Sequence, residues 1–260
     1  MFWDQSDYDV RCEWGEQGLA ALREGADVIV LVDVLSFCTS VDVICANGGI
    51  VYPFPRVDAS AVAFAREKRA FLAADVGGSG GYTSRPATFL QTPPKTRLVL
   101  PSVNGSALSL QTTRPTLAGC LRNARAVAAA AQRIGPKIAL IAAGERWADG
   151  RSLRPAIEDW IGCGAIIAHL SGTRSPEAQA ALAVYESVAR RLPETVFDCI
   201  SGRELQERGD DDMIPASQHN VSNAVPMLRD GAYVNAELSL IYFRCRRGRR
   251  CRPSHSHTPT

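Results

Sequence analysis

No Cys-x-x-Cys pair occurs anywhere in this 260-residue chain, although it holds eight cysteines: Cys12, Cys38, Cys45, Cys120, Cys163, Cys199, Cys245 and Cys251. Most of them stand alone inside apolar runs, where a thiol packs as a small hydrophobe, so they read as reduced cysteines and not as a disulfide or zinc framework. The terminal Cys245, Cys251, His255 and His257 are too loosely spaced for a structural metal. Long hydrophobic runs are missing too: no stretch reaches the ~18 apolar residues of a membrane span. The N-terminal segment carries Asp4, Asp7 and Asp9 in place of the basic start and apolar core of a secretory signal. The expectation is a cytoplasmic protein with no membrane partner.

Charge of one sign is scarce in the body. The formal net charge is +2, yet six arginines crowd residues 244–252, leaving 23 basic against 27 acidic residues elsewhere. A slightly acidic body without basic, aromatic-interleaved stretches gives no footprint for nucleic acid. Residues 244–260 combine Arg, Ser, His and Pro with no apolar periodicity, too polar to offset the entropy of ordering, and are expected to form a disordered tail. Residues 1–243, 46% of the whole chain being apolar, suffice for one domain with a single large core.

Several phosphate chemistries are also excluded. There is no Gly-Lys-Ser/Thr ending and no complete G-x-G-x-x-G before a helix, which removes the usual nucleotide cradles. Asp33 lacks a second aspartate two residues on, Cys163 has no arginine six residues later, and no Arg-His-Gly triplet exists. The common phosphatase classes are therefore disfavoured. No internal repeat of fixed period is visible.

What is present alternates. Residues 27–33 (DVIVLVD) form a short β-branched run after a helical segment at 16–24 with Gly25 as its stop. Strand-like runs recur at 50–52, 71–75, 97–101 and 137–142, with helical stretches between several of them. Residues 123–134 open on a capping asparagine and stop at Gly135-Pro136. After Ala143 the pattern turns helical over 155–170, 176–191 and shorter pieces across 194–218, with a last strand near 238–243. Such alternation predicts an α/β chain, a three-layer α/β/α domain around a largely buried mixed sheet. The long connection at 77–96 exceeds an ordinary loop and is expected to be functional.

Four segments carry candidate chemistry. Asp33 ends a buried strand and is followed by Thr39 and Ser40 at a helix start, the end of an open α/β sheet at which ligands bind; the same residues also serve as ordinary helix caps. Gly77-Gly78-Ser79-Gly80-Gly81 offers backbone amides for an anion nest, or a plain surface loop. Ser102-Val-Asn104-Gly105-Ser106 follows another strand as a tight turn. Glu145 follows a strand, and Glu158-Asp159 lie in an otherwise apolar helix, where either an oxygen-seeking cation or a solvated first helical turn accounts for adjacent acids.

Taken in order, these segments resemble the 2-phosphosulfolactate phosphatase family. The motif D-V-L-R-A-S/T-T resembles Asp33-Val34-Leu35-Ser36-Phe37-Cys38-Thr39, and T-N-G-S/T resembles Val103-Asn104-Gly105-Ser106. G-x-L-x-N-A is similar to Gly119-Cys120-Leu121-Arg122-Asn123-Ala124. An A-G followed by L-E-D is similar to Ala143-Gly144 and Ile157-Glu158-Asp159, and V-P-x-L-x-D-G to Val225-Pro226-Met227-Leu228-Arg229-Asp230-Gly231. The likeness spans residues 27–235. Two family arginines are replaced, one by Ser36 and one by Val76 in Asp75-Val76-Gly77-Gly78, and the family's N-S-P is approximated by Gln91-Thr92-Pro93.

The resemblance implies Mg²⁺-dependent hydrolysis of a phosphoric monoester of a small acidic hydroxy acid: 2-phospho-3-sulfolactate to sulfolactate and phosphate, a step of coenzyme M biosynthesis. On that reading Asp33, Glu158 and Asp159 are catalytic, and with Glu145 they hold the metal. Gly77, Gly78, Asn104, Gly105, Ser106 and Thr39 bind phosphate, and Arg85 or Arg146 faces the rest of the substrate. A non-catalytic anion-binding or regulatory protein that keeps the fold is the rival reading, and a homo-oligomer stays open.

Overall fold

The central strand runs as composition dictates. Val28–Val32 (β2) is buried on both faces, with Val28, Val30 and Val32 entering one core and Ile29 and Leu31 the other; a two-residue period on a strand covered from both sides requires an unbroken apolar run. The structure, a computed structural model, describes residues 2–74 and 78–236. The expected strand near 238–243, the arginine-rich tail at 244–260 and Gly77 lie outside the described residues.

In chain order the elements are Val10–Trp14 (β1), Gly15–Leu22 (α1), β2, Phe37–Ala46 (α2), Ile50–Phe54 (β3), Ala59–Lys68 (α3), Phe71–Leu72 (β4), Arg97–Pro101 (β5) and Gly105–Ser109 (α4). Thr116–Gly119 (β6), Ala124–Ile134 (α5), Ile138–Ala142 (β7), Glu145–Arg146 (β8), Leu153–Arg154 (β9), Ile157–Ile167 (α6) and Pro176–Val188 (α7) follow. Leu192–Asp198 (α8), Ile200–Glu207 (α9), Met213–Ala216 (α10), Pro226–Arg229 (β10) and Ala232–Asn235 (β11) complete them.

Nine strands form one sheet in the order β1-β7-β2-β6-β10-β11-β3-β5-β4, and β8 pairs with β9 separately. Strands β1, β7, β2 and β6 are mutually parallel, as are β3, β5 and β4. The antiparallel hairpin β10–β11 is inserted between the two groups, bridging to β6 and to β3. The sheet is mixed, as expected. A sheet this wide twists by roughly 20–25° per strand, and the segment following β5 lies over the end of β2.

Helices cover both faces, giving the expected three layers. On one side Leu19 and Leu22 of α1, Phe37, Val41 and Ile44 of α2 and Leu108 of α4 pack on Ile29, Leu31, Leu98 and Ile141. On the other, Val127 and Ala131 of α5, Ile161 and Ile166 of α6 and Ala178 and Ala181 of α7 pack on Val30, Val32 and Leu140. There α3 covers the far end through Ala61 and Ala65 against Tyr52 and Val99. A methyl group on Gly164 would come within 2.1 Å of the Ala181 carbonyl oxygen, so glycine is what allows α6 and α7 to approach.

Some expectations are corrected. Of the run expected as a strand over 71–75, Phe71–Leu72 is strand and Ala73 and Ala74 are not, and β1, β6, β10 and β11 were not foreseen. β1 reads as polar because it carries Arg11, which is nonetheless 1% exposed: its guanidinium donates to the carbonyls of Asp4 and Gly25 at 3.1 and 2.7 Å. Asn123 precedes α5 without capping it; its Oδ1 accepts from the Cys120 N–H and its Nδ2 donates to the Ala118 carbonyl, bracing the turn after β6.

Candidate active site

Asp33 emerges where β2 ends. Its Oδ1 accepts from the Phe37 N–H at 3.0 Å, so the carboxylate does serve the entry of α2. Its Oδ2 accepts from the Gly105 N–H at 3.1 Å, tying the β5–α4 turn to the end of β2. A methyl at position 105 would sit 2.7 Å from Asp33 Oδ2 and 2.3 Å from the Phe37 ring, so the Asn104-Gly105 pair permits an approach no other residue allows. Asn104 in turn donates from Nδ2 to a Glu145 carboxylate oxygen at 2.9 Å.

Glu145 stands one residue past Gly144, whose φ of +68° makes the sharp turn after β7. The first turn of α6 lies behind. Asp159 accepts from the Val34 N–H at 2.7 Å through Oδ1 and from the Gly144 N–H at 2.8 Å through Oδ2. One carboxylate thus pins the loops after both β2 and β7. Glu158 beside it is 2% exposed, and its Oε2 has no hydrogen-bond partner among the described residues. Burying such an oxygen unpaired is costly, and the Cys199 thiol lies beside Glu158.

These acids lie in one another's field. Burial first and the Glu145 charge second push the Asp33 carboxyl up to about 7, with Glu158 adding to the push and the Phe37 and Gly105 amides opposing it. Burial, then Asp33, then Glu158, hold Asp159 well above the usual carboxylate range. Glu145 is raised by burial, drawn back by its Asn104 hydrogen bond, raised by Glu158 and lowered by Arg154. Arg154, buried, spends its Nη2 on a Glu204 carboxylate oxygen at 2.8 Å.

Asp33, Glu145 and Asn104 open on a cavity of about 230 Å³ whose walls include Ser36, Ser84 and Ser102. Among the described residues no lysine or arginine lines it. No three His, Cys, Asp or Glu side chains among the described residues form a ready-made metal-binding group. The donor chemistry nonetheless fits a hard divalent cation: oxygen ligands only, mutual repulsion to relieve, and the orphaned Glu158 Oε2.

The other expected residues fall elsewhere. The Thr39 hydroxyl donates to the Val34 carbonyl and the Ser106 hydroxyl to the Leu100 carbonyl; both side chains are fully buried and turned from the cavity, which corrects their assignment to phosphate. The Gly105 amide is taken by Asp33. Gly78 is exposed and lies outside the cavity wall. Arg85 is ion-paired with Asp210, so the guanidinium next to Ser84 is engaged away from the acids. Arg146 lines a neighbouring cavity. Sequence reasoning missed Ser84, Ser102 and Arg154. Ser102 stood next to a strand end and could have been weighed; Arg154 carried no local signal.

A family model described as 2-phosphosulpholactate phosphatase matches residues 18–231. The chain belongs to this family. A relative from Methanothermobacter thermautotrophicus, named 2-phosphosulfolactate phosphatase, is 28% identical over 219 residues, covering 80% of this chain and 89% of that protein. The resemblance read from the motifs is therefore shown, and the family name places the chain among the phosphoric monoester hydrolases. Of the two replaced family arginines, Ser36 lines the acidic cavity and Val76 is outside the described residues. No helix among the described residues is long and apolar enough to cross a membrane.

Proposed function

We propose that this 2-phosphosulpholactate phosphatase family member hydrolyses the phosphoric monoester of a small acidic hydroxy acid, 2-phospho-3-sulfolactate to sulfolactate and phosphate, in a Mg²⁺-dependent reaction of the coenzyme M biosynthetic type. The observation that carries this reading is the pair Asp33 and Glu145 facing a cavity with no basic side chain among the described residues, with buried Glu158 adding its charge to both. A dianionic phosphate entering such a cavity needs a cation brought from outside. Bound Mg²⁺ would supply charge neutralisation at the phosphoryl oxygens, with Asp33 and Glu145 as the carboxylate donors in the cavity wall and Glu158 behind them.

The chain's own groups have separable parts. Asn104 orients Glu145, and the Phe37 and Gly105 amides orient Asp33, so both carboxylates are fixed before substrate arrives. Asp159 holds the two loops that carry them and acts as a positioning residue. Ser36, Ser84 and Ser102, in the cavity wall, would offer hydroxyls to the phosphate.

The test is phosphate release from 2-phosphosulfolactate by the full chain, with Mg²⁺ or with EDTA, for wild type and for Asp33→Asn. Release that requires both Mg²⁺ and Asp33 is expected. Release that persists in EDTA overturns the metal assignment, and absence of release from wild type with Mg²⁺ overturns the substrate.

A further inference from the structure

One cation stands behind the acidic cavity without entering its wall. In the β8–β9 ribbon Glu145 is directly opposite Arg154, and Arg146 is opposite Leu153. Opposed residues of an antiparallel pair put their side chains on one face, with Cβ atoms about 5 Å apart. Arg146 and Leu153 both line the neighbouring cavity, so Glu145 and Arg154 share the other face of the ribbon. That face turns to the acids, since Glu145 lines their cavity. Burial raises the Glu145 carboxyl, and the Arg154 charge is among the groups that draw it back.

The Arg154 guanidinium is nonetheless engaged elsewhere. Arg154 is 7% exposed, and its Nη2 donates to a Glu204 carboxylate oxygen at 2.8 Å. Among the described residues its ion pair is with Glu204 and not with Glu145. Glu204 belongs to α9, is half exposed and lies outside the wall of the acidic cavity. Two residues further on, Gln206 donates from Nε2 to the Phe197 carbonyl at 2.7 Å, which fastens α9 to the end of α8 and fixes where Glu204 stands. The same helix meets the acids at its start, where the capping Cys199 Sγ accepts from the Gly202 N–H at 3.3 Å and lies beside Glu158. A buried guanidinium left without its carboxylate is strongly unfavourable. With Glu204 removed, the carboxylate facing Arg154 across the ribbon is Glu145.

We infer that Glu204 is a positioning residue for the divalent-cation site: by engaging Arg154 it keeps a buried guanidinium from neutralising Glu145, and so sets how tightly the acidic cavity holds Mg²⁺. The inference rests on the metal-dependent phosphatase reading and adds to it a residue of α9 that stands outside the cavity.

The experiment titrates Mg²⁺ calorimetrically into the metal-free full chain. Beside it, the Mg²⁺ concentration for half-maximal phosphate release from 2-phosphosulfolactate is measured. Wild type is compared with Glu204→Gln, Glu204→Asp, Arg154→Met and the double variant Arg154→Met with Glu204→Gln. Glu204→Gln is expected to weaken Mg²⁺ binding by about fivefold or more, because a unit charge redirected onto Glu145 acts at short range in a poorly screened interior, while kcat at saturating Mg²⁺ is largely kept. Glu204→Asp should recover part of the affinity. Arg154→Met should bind Mg²⁺ at least as tightly as wild type, and adding Glu204→Gln to it should change little, since the effect of Glu204 passes through Arg154. Unchanged Mg²⁺ affinity in Glu204→Gln overturns the inference. So does a folded Arg154→Met protein that binds Mg²⁺ as weakly as Glu204→Gln, which would make the ion pair a plain staple between β9 and α9. If Arg154→Met does not fold, the two Glu204 variants decide alone. The calorimetric arm holds whichever phosphate ester is the substrate. Wild type that takes up no Mg²⁺ overturns the metal reading and the inference together, a result seen before any variant is made.

Discussion

Asp33 and Asp42 lie nine residues apart on the same strand–helix unit, and both are buried, yet they live in opposite company. Asp42, inside α2, accepts from Arg122 Nε at 2.9 Å and from the Ser222 hydroxyl at 2.7 Å. Arg122 also reaches Gln218 and the Pro215 carbonyl, so the pair ties α2 to the segment around 215–222. Burial pushes the Asp42 carboxyl up, and Ser222 and Arg122 pull it back. Asp33, at the start of the unit, is surrounded by Glu145, Glu158 and Asp159 and has no cation against it among the described residues. A buried acid with a matched partner locks a fold. Acids gathered without one repel each other, and protonation or a bound cation relieves the repulsion; perturbed acids of this kind mark candidate sites.

The comparison is sharpened by removing one group from each side. Asp33→Asn is expected to lower kcat for phosphate release by roughly 10²–10⁴-fold, while its thermal midpoint at pH 8 without Mg²⁺ falls far less than that of Arg122→Met, because the loss of one amide hydrogen bond is offset by the removal of a repulsive charge. Arg122→Met should do the reverse: a loss of about 3–5 kcal/mol in denaturant unfolding, since Asp42 is left buried and unpaired, with kcat retained in whatever fraction stays folded. If Asp33→Asn destabilises as much as Arg122→Met, the distinction between the two acids collapses.

Proton linkage provides the next contrast. Asp33 has its carboxyl raised from an ordinary 3.8 to about 7, so folding favours its protonated form. That contribution is fully present below about pH 4 and is lost as pH rises through 7, an effect of about 4 kcal/mol at most. The metal-free protein should therefore lose stability between pH 5 and 8, and Mg²⁺ should restore it at pH 8. Thermal melts with and without EDTA check this, and a slope unchanged in Asp33→Asn would assign it to other acids.

Smaller effects probe the supports. Gly105→Ala places a methyl against Asp33 and Phe37 and should cost about 1–3 kcal/mol by overpacking, with phosphate release falling further than stability alone explains. Asn104→Ala removes one hydrogen bond to Glu145, worth about 1 kcal/mol, and should lower kcat several-fold with little change in the melting curve.

Much of this was readable in the chain. The run at 28–32 could only be a central buried strand, Ala124–Ile134 was bounded on both sides, and the order of Asp33, Asn104-Gly105 and Glu158-Asp159 already resembled the family now shown. What escaped reading has physical causes. β1 hides behind Arg11, whose charge is satisfied by carbonyls distant in sequence. β6, β10 and β11 are four residues each, too short for periodicity to speak. Thr39 and Ser106 have the residue types of phosphate binders, but side-chain direction depends on which backbone carbonyl lies nearest, and theirs are internal.

The sequence by itself determined the class of fold, the family and the acids at strand ends and at the start of α6, because these depend on local apolar pattern and on residue identity. Only the tertiary structure decided that Asp159 is spent holding two loops, that Glu158 keeps a free oxygen, that Arg85 is engaged by Asp210, and that Glu145 and Arg146 face different cavities. Those assignments are settled by contacts between residues far apart in the chain, formed where loops from several strands converge, and no local pattern encodes them.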